Sequence, residues 1–369
     1  MKGENLMKLS KFGVIFSLIT LITIFFYGCS SSEKSQSADS TSDDDKEVIV
    51  LKASSQAPPT SPYSKGFDAL LDEIEEASDG LIEFERYYSE SLAKADNNVT
   101  ALSSGIADIA AFMPSYTPGN TPLANIVSNP AIWTDSWVGS KAINELYRTH
   151  PEMQEELENQ NIKWIGQFAF PSYHVITTKD VKSIEDLKGL KLIATGQMAI
   201  LAEELGATVV GMPITEAYDA MQRGIIDGAI YGYTSSLTYG LEEAAESVWE
   251  IPLGAVGGII GMNLDVWNEL PEDIQNKIEE ISANEHPELY HQIYQIDGDG
   301  EAIEKFKEQG IKINKASEDD IAKLKNIAEE TVWKQWIEEQ ESNGLPGEKL
   351  MEDFLNFVDK YEQENLFEN

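Results

Sequence analysis

The residues able to do chemistry are sparse along this chain. Its four histidines are His150, His174, His286 and His291. His286 and His291 stand five apart, which does not place two ligands on one helical face. Cys29 is the single cysteine, so neither a disulfide framework nor a thiolate metal cluster is available. There is no Gly-x-Ser-x-Gly elbow, no phosphate-binding P-loop and no zinc pair. Gly254, Gly257, Gly258 and Gly261 have the wrong spacing for a dinucleotide fingerprint and suit close strand packing or a bend. Asp297, Asp299, Glu301 and Glu308 fall at positions 1, 3, 5 and 12 of a calcium-loop register, but the glycine required at position 6 is Ala302. Solvated acids at a helix break are the plainer reading. With 64 acidic side chains, no acid/base pair stands out. No catalytic residue, cofactor or metal is expected, and the chain does not read as an enzyme.

The aromatic residues say more. Tyr63, Tyr88, Tyr116, Trp133, Phe170, Tyr173, Tyr231 and Tyr233 fall near expected strand ends or in the loops after them. Each alone is more often a core residue. Together they describe a pocket of ring faces and hydroxyls. Thr195 and Gln197 follow another strand end, where they can exchange uncharged hydrogen bonds.

The elements that must position these residues follow from local pattern. From Ser183 the chain reads SIEDLKGLKLIATGQMAILAEELGATVVGMPITEAYDAMQRGIIDG. Ser183 with Asp186 resembles a capping box, and Gly189 ends a short helical turn. Leu190–Ala194 is an apolar run of strand length. Met198, Leu201, Ala202 and Leu205 recur at helical spacing until Gly206. Ala207–Val210 and Ile225–Tyr231 read as strands, separated by a helix that Thr215 caps and Gly224 ends. An earlier series, with strands at Val48–Ser54, Leu81–Tyr88 and Ile106–Phe112, has the same order. Ala101–Ala110 parallels Ala220–Ala229, with glycines at 105 and 224 and aspartates at 108 and 227. Two similar α/β lobes meeting at a hinge are expected, with a ligand cleft at their strand ends. Glu216 and Asp227 are expected to fix a turn and a helix end.

The later stretch also resembles the solute-binding proteins of TRAP transporters, the DctP-like family. The runs that carry the resemblance are Asp186–Lys191, Gly206-Ala207, Met212-Pro213, Glu216–Tyr218, Ala220-Met221 and Gly224–Gly228. Weaker resemblance extends from about Ile49 to about Phe357. It implies a two-lobed periplasmic-binding-protein-like fold, type II-like, with a long helix over about 272–309 bracing both lobes. The first lobe would span about 47–165 with part of the C-terminal helices, and the second about 170–260. The resemblance further implies delivery of a small organic solute to two integral membrane subunits, driven by an ion gradient. Family members usually carry a carboxylate-clamping arginine after the "GlK" strand start, and here that position is Ile193. A second arginine of some members falls at Tyr173 and His174. The chain has three arginines, Arg86, Arg148 and Arg223. A neutral, weakly anionic or aromatic ligand is therefore expected. Its expected contacts are Tyr63, Tyr88, Tyr116, Trp133, Tyr173, Ile193, Thr195, Gln197 and Tyr231. Arg86 and Lys94 are the basic groups placed to replace the missing clamp.

Charge and leader fit a protein working outside the cytoplasmic membrane. The net charge of −37 argues against nucleic acid or an anionic membrane face as partner. Lys2, Lys8 and Lys11 precede an apolar run, Phe12–Phe26, and Gly28 precedes Cys29. Residues 1–28 read as a signal peptide with a lipobox-like end, so Cys29 is the expected lipid anchor to the cell membrane. Residues 29–46 are Ser- and Asp-rich and read as a disordered tether, leaving 47–369 as the solute-binding domain. A receptor for an ABC importer, a membrane sensor and, less readily, an extracellular enzyme are the alternatives. Neighbouring genes for two membrane subunits, an ATPase or a kinase would separate the first two from the transporter reading.

Overall fold

The structure is a computed structural model that describes residues 48–284 and 287–365. The leader, Cys29, the tether and His286 lie outside the described residues. The strands are β1 (Ile49–Ser54), β2 (Ile82–Tyr87), β3 (Ile109–Phe112), β4 (Ile162–Ala169), β5 (His174–Thr177), β6 (Lys191–Ile193), β7 (Thr208–Val209), β8 (Gly228–Tyr231), β9 (Ser247–Glu250), β10 (Gly257–Asn263) and β11 (Lys312–Lys315). They form two sheets, ordered β2-β1-β3-β10-β4 and β11-β9-β5-β8-β6-β7. In the first, β1 runs parallel to β2 and β3 while β10 runs antiparallel to β3 and β4. In the second, β5 is the antiparallel member between β8 and β9. The four residues of β3 and of β8 are all buried, as strands covered on both faces must be.

Helix ends follow the local chemistry. In the Pro62–Ala77 helix, the Ser61 side chain accepts the Ser64 N–H and proline occupies the first turn. Phe67, Leu70, Leu71 and Ile74 form its buried face. At the second lobe's start, Ser183 does not cap: its hydroxyl donates to the Asp186 carboxylate over 3.1 Å.

The internal parallel between the lobes has a physical basis in its two aspartates. The Asp108 carboxylate accepts the Lys52 N–H at 2.7 Å, and the Asp108 N–H donates to the Lys52 carbonyl. Asp227 repeats both bonds with Lys191. In each lobe, then, the acid that enters one strand is tied to the backbone of its parallel neighbour. Glu216, by contrast, makes no side-chain cap.

Among the described residues the chain passes between the lobes four times, the last after β11 into the closing helices. After β4 the chain crosses through residues 170–173, and it returns through 251–256. These crossings are hydrogen-bonded to each other: Tyr173 N–H to Gly254 carbonyl at 2.7 Å, Phe170 N–H to Val256 carbonyl at 3.1 Å. The expectation that the second lobe extends to about 260 is corrected here, because β10 completes the first sheet. Glycine permits this: a Cβ on Gly258 would lie 1.9 Å from the Phe168 ring. The third link is the helical region Glu272–Asn284 and Pro287–Glu308. Tyr294 packs 5.3 Å from Phe170, and Phe306 packs 5.4 Å from Tyr233, so this region touches the hinge and the second lobe. Asp297-Gly-Asp-Gly, expected to kink or break the helix, does not break it; Gln292–Asp299 is a wider helical stretch that runs on into Gly300–Glu308. A Cβ on Gly298 would meet Thr234 Oγ1 at 2.6 Å, so this glycine serves close packing rather than a turn. The calcium register therefore lies along a helix, where its acids do not encircle one point. The closing helices cover the first lobe, with Phe354 against Trp133 and Tyr361 against Trp137.

Asp227 supplies a test of the inter-strand tie. Partial burial opposes its ionisation, but Lys179 at 2.7 Å and the Lys191 N–H outweigh this and hold it below the usual carboxylate range. A depressed folded pKa means stability that is full above the unfolded value and lost as pH falls through the folded one. Asp227→Ala is expected to destabilise by about 1–3 kcal/mol at neutral pH, with the difference from wild type shrinking in acid. Denaturant unfolding at pH 7 and below pH 4 measures it.

Candidate functional site

The loops after the strands meet between the lobes. From the first lobe come Gln56 and Ala57 after β1, Ser61 and Tyr63 at the helix that follows, and Met113 and Tyr116 after β3. The first crossing supplies Phe170 and Tyr173. The second lobe supplies Ile214, Tyr231 at the end of β8, and Thr234, Ser235, Thr238 and Tyr239 just beyond it. Together they line a space of about 30 Å³. That is room for water-sized occupants, so an organic solute enters only as the walls part.

The walls are rings and uncharged polar groups. Tyr173 and Tyr231 stack at 5.4 Å, and Tyr63 stacks on Phe170 at 6.1 Å. The Tyr63 hydroxyl donates to the Ala111 carbonyl at 2.8 Å, which fixes the ring. Burial pushes the phenols of Tyr63, Tyr173 and Tyr231 well above their ordinary value, and those of Tyr116 and Tyr239 upward too. All five therefore stand as neutral O–H groups at physiological pH. Gln56 is buried, and its Oε1 has no hydrogen-bond partner. Thr234 is held from behind: its N–H donates to the Asp299 carboxylate at 3.0 Å, and its hydroxyl reaches the same oxygen. Burial raises Asp299 to about 6, against these two bonds. Among the described residues, no lysine, arginine or histidine lines the space.

Side-chain hydrogen bonds and a close backbone approach hold the lobes against each other. The Tyr116 and Tyr231 hydroxyls are 3.0 Å apart. The Asn125 amide donates to Gln197 Oε1 at 2.9 Å. Gly196 lies against Ser115, where a Cβ would sit 3.0 Å from the serine Cβ. Glu156 supports this side by accepting the Leu123 and Ala124 N–H groups at 2.6 and 2.8 Å; burial nevertheless raises its carboxyl to about 7.

The structure thus brings Tyr63, Tyr116, Tyr173 and Tyr231 to one space, along with Phe170. It places the other expected contacts elsewhere. Tyr88 donates to Asp68 at 2.9 Å. Trp133 is a core residue whose ring N–H points at the Phe170 carbonyl. Ile193 is buried in the apolar cluster that also contains Ile214 and Tyr231, without lining the space itself. Thr195 precedes the Gly196–Glu204 helix, and Gln197 is spent on the interlobe bond. Neither basic substitute reaches the space. Arg86 is engaged by Asp72 at 2.6 Å and Glu75 at 2.7 Å, and Lys94 is exposed. His174 is turned to the Ile251 carbonyl and the Tyr233 ring. Gln56, Ile214, Thr234 and Tyr239 were not singled out from sequence. Gln56 and Thr234 follow β1 and β8 closely, so applying the strand-end rule to polar residues as well as rings would have found them.

Comparison with known proteins places this geometry. Residues 53–340 match the family model for bacterial extracellular solute-binding protein, family 7 (DctP). A solute-binding protein of Albidiferax ferrireducens is 29% identical over 273 residues, covering 72% of this chain and 78% of its own. A TRAP solute-binding protein from Rhodoferax ferrireducens, solved with copurified benzoate, superposes with a TM-score of 0.77 at 22% identity, over 86% of this chain and 99% of its own. One from Bordetella bronchiseptica, with bound mandelate, gives 0.76 at 21% identity, over 85% and 99%.

The hydroxyl contact across the cleft is open to direct measurement. Removing one uncharged hydrogen bond shifts an equilibrium by about 0.5–1.5 kcal/mol. Tyr116→Phe is expected to raise the open-to-closed ratio about two- to tenfold in ligand-free protein. Distances between spin labels on the two lobes report it; an unchanged distribution would show that the contact does not hold closure.

Proposed function

The chain belongs to the family 7 bacterial extracellular solute-binding proteins, the receptors of TRAP transporters, and we propose that its cleft takes a solute that buries no bare carboxylate. The observation that carries this reading is a set of walls drawn from both lobes with, among the described residues, no cationic side chain in it. The part of the solute inside the cleft is a neutral or aromatic body, met by ring faces and by O–H groups. Solute contacts both lobes only when they close, so binding favours the closed form by that difference in contact. Closure presents a defined surface to the two membrane subunits.

A carboxylate stripped of water without a cationic partner is costly, and breaking such a pair elsewhere costs about 3–5 kcal/mol. Succinate and malate are therefore expected to leave the unfolding temperature unchanged. A true ligand at a hundredfold excess over its Kd adds about 2.7 kcal/mol of stability, a clear rise. A thermal-shift panel decides: stabilisation by either dicarboxylate sinks the reading.

We also propose that Cys29 is lipidated and holds the receptor at the outer side of the cell membrane. The charged leader, apolar run and Gly28-Cys29 step support it. Cys29→Ser is expected to move the protein from the membrane fraction to the soluble fraction. Retention in the membrane would instead favour an uncleaved N-terminal anchor.

A further inference from the structure

Beside the tyrosine-lined space lies a second one of about 30 Å³. Gln56, Tyr116, Ile214 and Tyr239 line both, so the parting of these walls joins them. The second space adds one charged group, Glu90. Its Oε1 accepts the Ala95 N–H at 3.0 Å, and no lysine, arginine or histidine pairs with it among the described residues. Ser89 and Glu90 have φ of 53° and 61°, a left-handed pair unusual for residues with side chains. Such backbone is held only where its surroundings over-determine it, and it concentrates at ligand sites. Here the Ser89 N–H is tied to the Ala57 carbonyl, so the segment bearing Glu90 is fixed to the one bearing Gln56.

The joined space thus has several tyrosine rings, an unpartnered buried amide oxygen and a carboxylate at one end. Asp299 adds a second negative group behind Thr234. Every one of these features attracts positive charge, and among the described residues no cationic side chain lines either space. Ring faces draw cations through their quadrupole, most strongly when the cation sheds its water. The amide oxygen and the carboxylate are acceptors, suited to N–H groups or to the polarised methyls of an alkylated ammonium. We propose that the cleft recognises a compact organic ammonium, held over the faces of Tyr116, Tyr173, Tyr231 and Tyr239 with Glu90 as its counter-charge. This rests on the reading that the cleft buries no bare carboxylate, and it goes further by giving the solute's buried group a positive charge.

Isothermal titration of the purified full-length protein tests it with four probes. Choline and tetramethylammonium supply the cation; 3,3-dimethyl-1-butanol has the shape of choline without its charge; benzoate supplies an aromatic anion. Choline is expected to bind about tenfold or more tightly than its uncharged isostere. Glu90→Gln keeps an acceptor for the Ala95 N–H, and it is expected to weaken choline about fivefold to tenfold while leaving the isostere unchanged. Equal binding of choline and dimethylbutanol, or no binding of either cation, overturns the ammonium inference and leaves the carboxylate-free cleft standing. Benzoate binding more tightly than choline overturns both.

Discussion

A charge moved out of water must find its opposite inside, or the molecule carrying it stays outside. The closed cleft of this protein is governed by that rule. Its walls are five phenols, a phenylalanine, three aliphatic side chains, an amide and a few small hydroxyls, with no cationic side chain among the described residues that line it. Burial keeps the phenols neutral, and Arg86 is already consumed by the carboxylates on its own lobe. What the receptor accepts therefore follows from what its walls lack as much as from what they offer.

The rest of the architecture serves to bring those walls together and let them part. Each sheet places its loops at the cleft through a parallel pair tied by an aspartate, Asp108 in one lobe and Asp227 in the other. The two crossings bind one another by backbone hydrogen bonds, which makes a short hinge. The helical brace couples to this hinge through Tyr294 and to the cleft wall through Asp299 and Thr234. A motion of the second lobe therefore moves the wall and the brace together. Closure is completed by uncharged contacts, Tyr116 with Tyr231 and Asn125 with Gln197, each small enough for a solute to outweigh.

Much of the fold was legible because its signals are local. Glycine stops at 189, 206 and 224 all carry positive φ, as their role as helix and turn ends required. The Ala101–Ala110 and Ala220–Ala229 parallel was visible as spacing before its shared hydrogen bonds were. What sequence hid was pairing at a distance. Nothing local tells β10 to leave the second lobe, because an apolar glycine-rich strand suits either sheet; its pairing with β3 and β4, where Gly258 leaves room for the Phe168 ring, is a distant one. The site divides in the same way. Tyr63, Tyr116, Tyr173 and Tyr231 are strand-end aromatics that converge, whereas Tyr88 and Trp133 are strand-end aromatics that do not. Only the direction of each side chain separates them. The helical glycines 298 and 300 misled because glycine usually ends a helix, while here Gly298 admits the Thr234 side chain.

Native mass spectrometry of protein purified without refolding, with any retained small molecule identified, tests the central claim most directly. A stoichiometric solute that carries no carboxylate in its buried part is expected. A retained aromatic acid, dicarboxylate or sugar acid would contradict this, and would mean that a cationic group reaches its carboxylate.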